Sequence, residues 1–439
     1  MWRGANSLVS KLEASNFPFL VLLLLIGTPA AAQSWEVANR GMNTNLRGVS
    51  VASSSGEKGA PIAAVWTSGS QGVIVRSFDE GKSWHRLYVP GGDALDFRGI
   101  VAFGASLAYV ISSGEGVKSR IYKTTDGGKT WKLEFTDNRK EFFLDSIACR
   151  SAKECFALGD PINGQFLLLE TTDGEHWNPL PGGHMPAALP GEGAFAASNT
   201  SLALAGDQEI FFSTGGPAAR VFHSNDGGRD WTVAETPVAH GNVSSGIFSI
   251  ASDGHNHVLV VGGDYQQTRQ GERAAAYSLD AGKTWQLAAR QPGGFRSALA
   301  QIAGGHWIAV GPTGEDRSDD YGVHWKQTGS LNLNALAILD WKHGWAAGAQ
   351  GVIARFRHPY RIPFFLSVVS ANDPVHGRSA RPRKFLAPTL KWSYSSSFLD
   401  RAKAHVRRIS CQIHRTRTTA TINQRIAAPS SKAPPPPLR

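Results

Sequence analysis

The chain has 439 residues, enough for several average domains or for one large repetitive one. Its 48 Gly (about 11% against roughly 7% in ordinary chains), 13 Trp and only three Met describe turn-rich, tryptophan-punctuated sequence. They argue against a helical bundle, and 41% hydrophobic residues exclude a chain that is disordered throughout. The net charge of +10 is no nucleic-acid footprint: 15 of the 45 Lys+Arg but only two of the 35 Asp+Glu fall between His358 and Arg439, leaving 30 basic and 33 acidic residues before that point.

The chain opens on what reads as an export signal, assigned to residues 1–32. Arg3 and Lys11 make a weakly basic start, Phe17 to Ile26 is a short apolar stretch, and Ala30-Ala31-Ala32 supplies small residues at a cleavage point before Gln33. The expected destination is the periplasm or the extracellular space. No later apolar run is long enough to cross a bilayer as a helix. From there on the chain repeats the pattern S/T-x-D-x-G-x-x-W, built around Asp79 and Trp84, Asp126 and Trp131, Asp226 and Trp231, Asp280 and Trp285, and Asp320 and Trp325. A copy one residue short carries Asp173 and Trp177. In each, the Asp accepts hydrogen bonds from backbone amides of its own turn, the Gly permits a positive φ, and the Trp fills space between neighbouring sheets.

Between the second and third boxes, Cys149 and Cys155 flank a polar SAKE turn between β-type residues. In an oxidising compartment a disulfide across that hairpin is expected, and Cys411 is left over. Beyond Phe356 the alternation stops. The segment 358–439 is basic, ends in a proline run and reads as a disordered tail, either one that touches anionic surfaces or an extension without a selected role, with no specific nucleic-acid binding inferred.

Short strands precede every box, so each 40- to 54-residue interval between box tryptophans holds about four strands, the blade of a β-propeller. Six units are complete. Leu331 to Phe356 supplies three further strands without a closing Trp, and the missing strand is the one at Trp35. The fold class predicted is therefore all-β: a seven-bladed propeller of four-stranded antiparallel blades over residues 33–357. The N- and C-terminal strands share the last blade, and a monomer is expected.

The octapeptides are Asp boxes (BNR repeats), and the blades resemble those of the photosystem II assembly/stability factor family and its bacterial relatives; sialidase-type propellers are more distant. Phrases that carry this are LRGVS at Leu46, FRGI at Phe97, ALGDPINGQF at Ala157, GEGAFAAS at Gly191, SSGIFSIAS at Ser244, VGGDY at Val261 and GFRSALA at Gly294. The resemblance implies partner-protein binding through a basic patch.

Aligning the blade starts places Arg47, Arg98, Asp145, roughly Gly193, Phe248, Arg296 and Asn334 at equivalent positions facing the central channel. Asp160, Glu192, Asp264 and Tyr265 are expected nearby. Guanidinium groups pair carboxylates bidentately, so this set suits a carboxylate-bearing ligand or an acidic peptide end. The competing reading is that Arg47, Arg98 and Arg296 pair with Asp96, Asp145, Glu192 and Asp264 to hold the ring together. An enzymatic alternative assigns Tyr265, Asp264 and Glu192 to sialidase- or glycosidase-like hydrolysis of carbohydrate. Against it, the Tyr360-Arg361-Ile362-Pro363 match follows the last blade, and sialidases usually have six blades. No cofactor and no metal site are expected; His255 and His257 alternate on a strand or loop and read as surface residues.

Overall fold

The structure, a computed structural model, describes residues 35–53, 62–180 and 184–357. The expected export signal at residues 1–32, Cys411 and the basic tail lie outside the described residues.

Seven antiparallel sheets make up the described chain. Blade one holds Leu46–Ser53, Ile62–Gly69, Ile74–Ser77 and His85–Leu87. Blade two holds Phe97–Phe103, Leu107–Ser112, Arg120–Thr124 and Lys132–Thr136. Blade three holds Leu144–Cys149, Cys155–Ile162, Gln165–Thr171 and Asn178–Pro179. Blade four runs through Leu202–Ala205, Glu209–Ser213, Arg220–Ser224 and Thr232–Glu235. Blade five has Asn242–Ser252, Val258–Asp264, Ala275–Ser278 and Gln286–Leu287, and gains a fifth strand, Gly215–Gly216, lent from blade four. Blade six is Ala298–Ala303, His306–Gly311, Gly314–Ser318 and Lys326–Gly329.

Blade seven closes the circle as the sequence predicts. Leu333–Ile338, Gly344–Gly348 and Ile353–Phe356 come from the end of the described chain, and Trp35–Asn39 from its beginning adds the outer strand. The first strands of successive blades pack against one another all the way round, blade seven against blade one included. That circuit of inner strands defines the axis of a seven-bladed β-propeller.

The Asp boxes join the third and fourth strands of blades one to six. In the second box, the Thr124 hydroxyl bonds Asp126 and accepts from the Gly128 amide, while Asp126 accepts from the Thr130 amide (2.9 Å) and the Thr130 hydroxyl (2.6 Å). The short third box and the sixth each set a His ring, His176 and His324, 2.7 Å from the aspartate where the first, second and fifth use a hydroxyl. Gly81, at φ +83°, shows why glycine is needed: a Cβ there would run into the Trp345 indole of blade seven. Apolar clusters fill the gaps between blades, as where Trp84 meets Trp345 edge-on at 5.7 Å. Cys149 and Cys155 lie opposite each other in register and form the expected disulfide.

Candidate functional site

A cavity of about 560 Å³ opens where the inner strands begin, and every blade contributes to its wall. The same device presents five of the lining side chains. Pairing between first and second strands slips by one residue between Leu46 and Gly48, Phe97 and Gly99, Leu144 and Ser146, Ile247 and Ser249, and Leu333 and Ala335. The residues skipped are Arg47, Arg98, Asp145, Phe248 and Asn334, and all five line the cavity. A β-bulge frees one residue from the ladder and re-aims its side chain, so the sequence positions aligned as blade starts share a backbone irregularity as well as a place.

Around the ring the wall changes character in sectors. Blades one and two are cationic. Arg98 donates to Asp96 at 2.8 Å and to the Ala196 carbonyl at 3.2 Å. Arg47 has no hydrogen-bond or ion-pair partner among the described residues; burial and then the charge of Arg98 lower its pKa, with Asp96 opposing. Blade three is acidic. Asp145 is 1% exposed with neither carboxylate oxygen hydrogen-bonded, and burial followed by the charge of Asp160 pushes its pKa well above the carboxylate range. Asp160 accepts from the Ala194 amide at 3.0 Å, yet burial still raises it to about 6. Blades four to six are aromatic. Phe195 stacks on Phe248 with centroids 3.8 Å apart, and Phe295 and Tyr265 meet Phe248 edge-on at 4.7 and 6.1 Å.

Of the residues the sequence singled out, Arg47, Arg98, Asp145, Asp160 and Tyr265 therefore share one wall, while Arg296, Glu192 and Asp264 are not among its lining residues. Arg296 departs from the alignment because blade six begins its ladder only at Ala298. Phe295 takes the cavity position, and Arg296 turns into the blade, fully buried, donating to Asp316 at 2.7 Å and to Thr313 at 2.9 Å. Glu192 is likewise buried and is held by Arg220, whose Nε donates at 2.8 Å. The buried arginine pairs thus lie within single blades, Arg296 with Asp316 and Arg220 with Glu192, whereas Arg47 stays outside them. Asp264 ends a second strand and accepts from the Gln266 amide, Gln267 and Asn242. Burial raises its pKa, but those hydrogen bonds and one from Ser244 outweigh it and leave the value lowered. Gly193 makes only an isolated bridge to Gly215, and the irregular run after it brings Phe195 to the wall. The aromatic sector was missed except for Phe248 and Tyr265; Phe195, in GEGAFAAS, and Phe295, beside the misassigned Arg296, were its available signals.

The fold and its boxes define an Asp-box β-propeller. A BNR/Asp-box repeat family model matches residues 122–133, which contain the second box. Within that class the chain resembles the photosystem II assembly factor Ycf48. A 76-residue stretch is 34% identical to the photosystem II assembly lipoprotein Ycf48 of Synechococcus sp. (strain CC9902), covering 16% of this chain and a fifth (20%) of that protein. Among solved structures, Ycf48 bound to a D1 peptide has a TM-score of 0.52 at 15% identity, over 74% of this chain and 96% of that one. Ycf48 from Cyanidioschyzon merolae gives 0.50 at 15% identity, over 74% and 99%. U3-55K gives 0.50 at 11% identity, over 74% and 98%. At such identities the structural likenesses speak for the fold alone.

Proposed function

We propose that this chain is an exported, non-catalytic propeller that binds a protein or peptide partner through the Arg-lined cavity, in the manner of an assembly factor. The observation that carries it is Arg47: a half-buried guanidinium with no hydrogen-bond or ion-pair partner among the described residues, next to a second arginine, on a cavity wall. Removing a charge from water without a partner is costly, and a protein that keeps such a group in a cavity gains when an anionic ligand reaches it. Support comes from the Ycf48 relative and from the Ycf48 structure that holds a D1 peptide. Export rests on the Phe17 to Ile26 stretch and the alanines after it. The test is affinity capture with the tagged protein and with an Arg47→Ala/Arg98→Ala variant, read by quantitative mass spectrometry. A partner enriched by the first and lost from the second is expected; identical profiles would remove the proposal.

A glycosidase-like hydrolase is the second reading, favoured by one feature: two carboxyl groups of raised pKa, Asp145 and Asp160, on the same wall. Turnover of sialosides or aryl glycosides, abolished by Asp160→Asn, would establish it. Absence of turnover across the panel would dismiss it.

A further inference from the structure

The three sectors of the cavity follow one another in blade order, and each presents one kind of unmet demand. In blades one and two, Arg47 lacks an ion-pair partner among the described residues. In blade three, Asp145 is buried with both oxygens unpartnered, beside the half-buried Asp160. In blades four to six, Phe195, Phe295 and Tyr265 pack around the buried Phe248 in one aromatic cluster, with Phe195 and Tyr265 its more open rings. A plain anion would satisfy the first sector and leave the carboxyl groups of the second unmet. A plain cation would do the reverse. A ligand carrying both charges and an apolar group matches all three.

We infer that the cavity takes a small zwitterion with an apolar side chain, a free α-amino acid or a compound of that class, its carboxylate on Arg47 and Arg98, its ammonium on Asp160 in front of the buried Asp145, its side chain against Phe195 and the rings packed with it. The cavity volume of about 560 Å³ lies in the range of small-molecule sites, roughly 300–1,000 Å³. An ammonium arriving at blade three would lower the raised pKa values there, so binding releases protons where the empty site holds them. Aromatic faces add to the attraction for the cationic end while burying the side chain. This inference rests on the reading of the cavity as a binding site, but the ligand it names is a small molecule and separate from a protein partner.

The test is calorimetric titration of the purified protein with L-phenylalanine, N-acetyl-L-phenylalanine and L-phenylalaninamide, the last two each lacking one charge. The parent is expected to bind in the micromolar to low-millimolar range, and each blocked derivative at least tenfold more weakly, the loss of about one charge-assisted hydrogen bond. Asp160→Asn should erase the preference for the parent over the acetylated form, and Arg47→Ala the preference over the amide. Failure of the parent to bind, equal binding of either derivative to the unaltered protein, or a preference that survives in its variant would overturn the inference. Partner capture that still depends on Arg47 would, in that event, leave the proposed function standing. Capture independent of Arg47 alongside selective amino-acid binding would mean the reverse.

Discussion

Trp35 lies opposite Phe356 across the seam of the ring, paired in register and with the two rings edge-on at 5.3 Å. One comes from the first described strand and the other from the last, so this contact holds a closed circle shut. Trp35 is 1% exposed and packs with the cluster that joins blades six and seven. Trp35→Ala should therefore cost about 3–5 kcal/mol, the usual range for emptying a large buried aromatic site. Equilibrium denaturation checks this, and a loss below about 1 kcal/mol would mean that the seam contributes little to closure.

The two kinds of arginine should separate cleanly. Arg296→Ala strands Asp316 without its partner in a buried site, and about 3–5 kcal/mol of stability should go with it. Arg47→Ala removes a guanidinium that burial and Arg98 already disfavour, so denaturation midpoints should hold steady or rise. Equal destabilisation by both would assign Arg47 to the scaffold.

Within a box, the aspartate and the tryptophan contribute on different scales. Asp126→Ala breaks a fully exposed turn cap and should cost the less of the two. Trp325→Ala empties a site that is 1% exposed between blades and should cost about 3–5 kcal/mol. Thermal or denaturant unfolding of the two variants side by side gives the ordering, and its inversion would show that the turn rather than the packing holds the blade.

Stability should peak in mild acid. Asp160 is raised from 3.8 to about 6 in the folded protein, so the folded state holds its proton more tightly than the unfolded chain does. Stability present below the lower value is then lost as pH rises through that window, by up to about 3 kcal/mol, and Asp145 acts in the same direction. The boxes act in the opposite sense: bonds from Thr130 and Thr284 hold Asp126 and Asp280 at about 2, so their contribution is present above 3.8 and lost as pH falls toward 2. Unfolding free energy measured across pH should therefore fall on both sides of that optimum, and Asp160→Asn should flatten the neutral side. An unchanged profile in that variant would contradict the burial of Asp160.

The periodic part of this architecture was legible because each blade repeats one chemical solution. Asp79, Asp126 and their counterparts cap the same turn, and Trp35 was found by counting back one repeat. Arg47, Arg98 and Asp145 were legible for the same reason, since equivalent bulges place them. Arg296 was not: its fate depends on where pairing starts in blade six, one residue beyond Ser297, and on Asp316 twenty positions on, neither of which the repeat encodes. Glu192 likewise finds Arg220 on the third strand of its own blade. The aromatic wall joins Phe195, Phe248 and Phe295 from three blades, and no local pattern links them.

Whether the cavity faces a partner is tested most directly by a photo-crosslinking residue placed at Ala197, on the cavity wall, with Tyr88, exposed and outside the cavity lining, as the control position. The account predicts a discrete crosslinked partner from position 197 that is absent from position 88 and disappears when Arg47→Ala and Arg98→Ala are added. A crosslinking pattern indifferent to the position, or to the loss of both arginines, would contradict it.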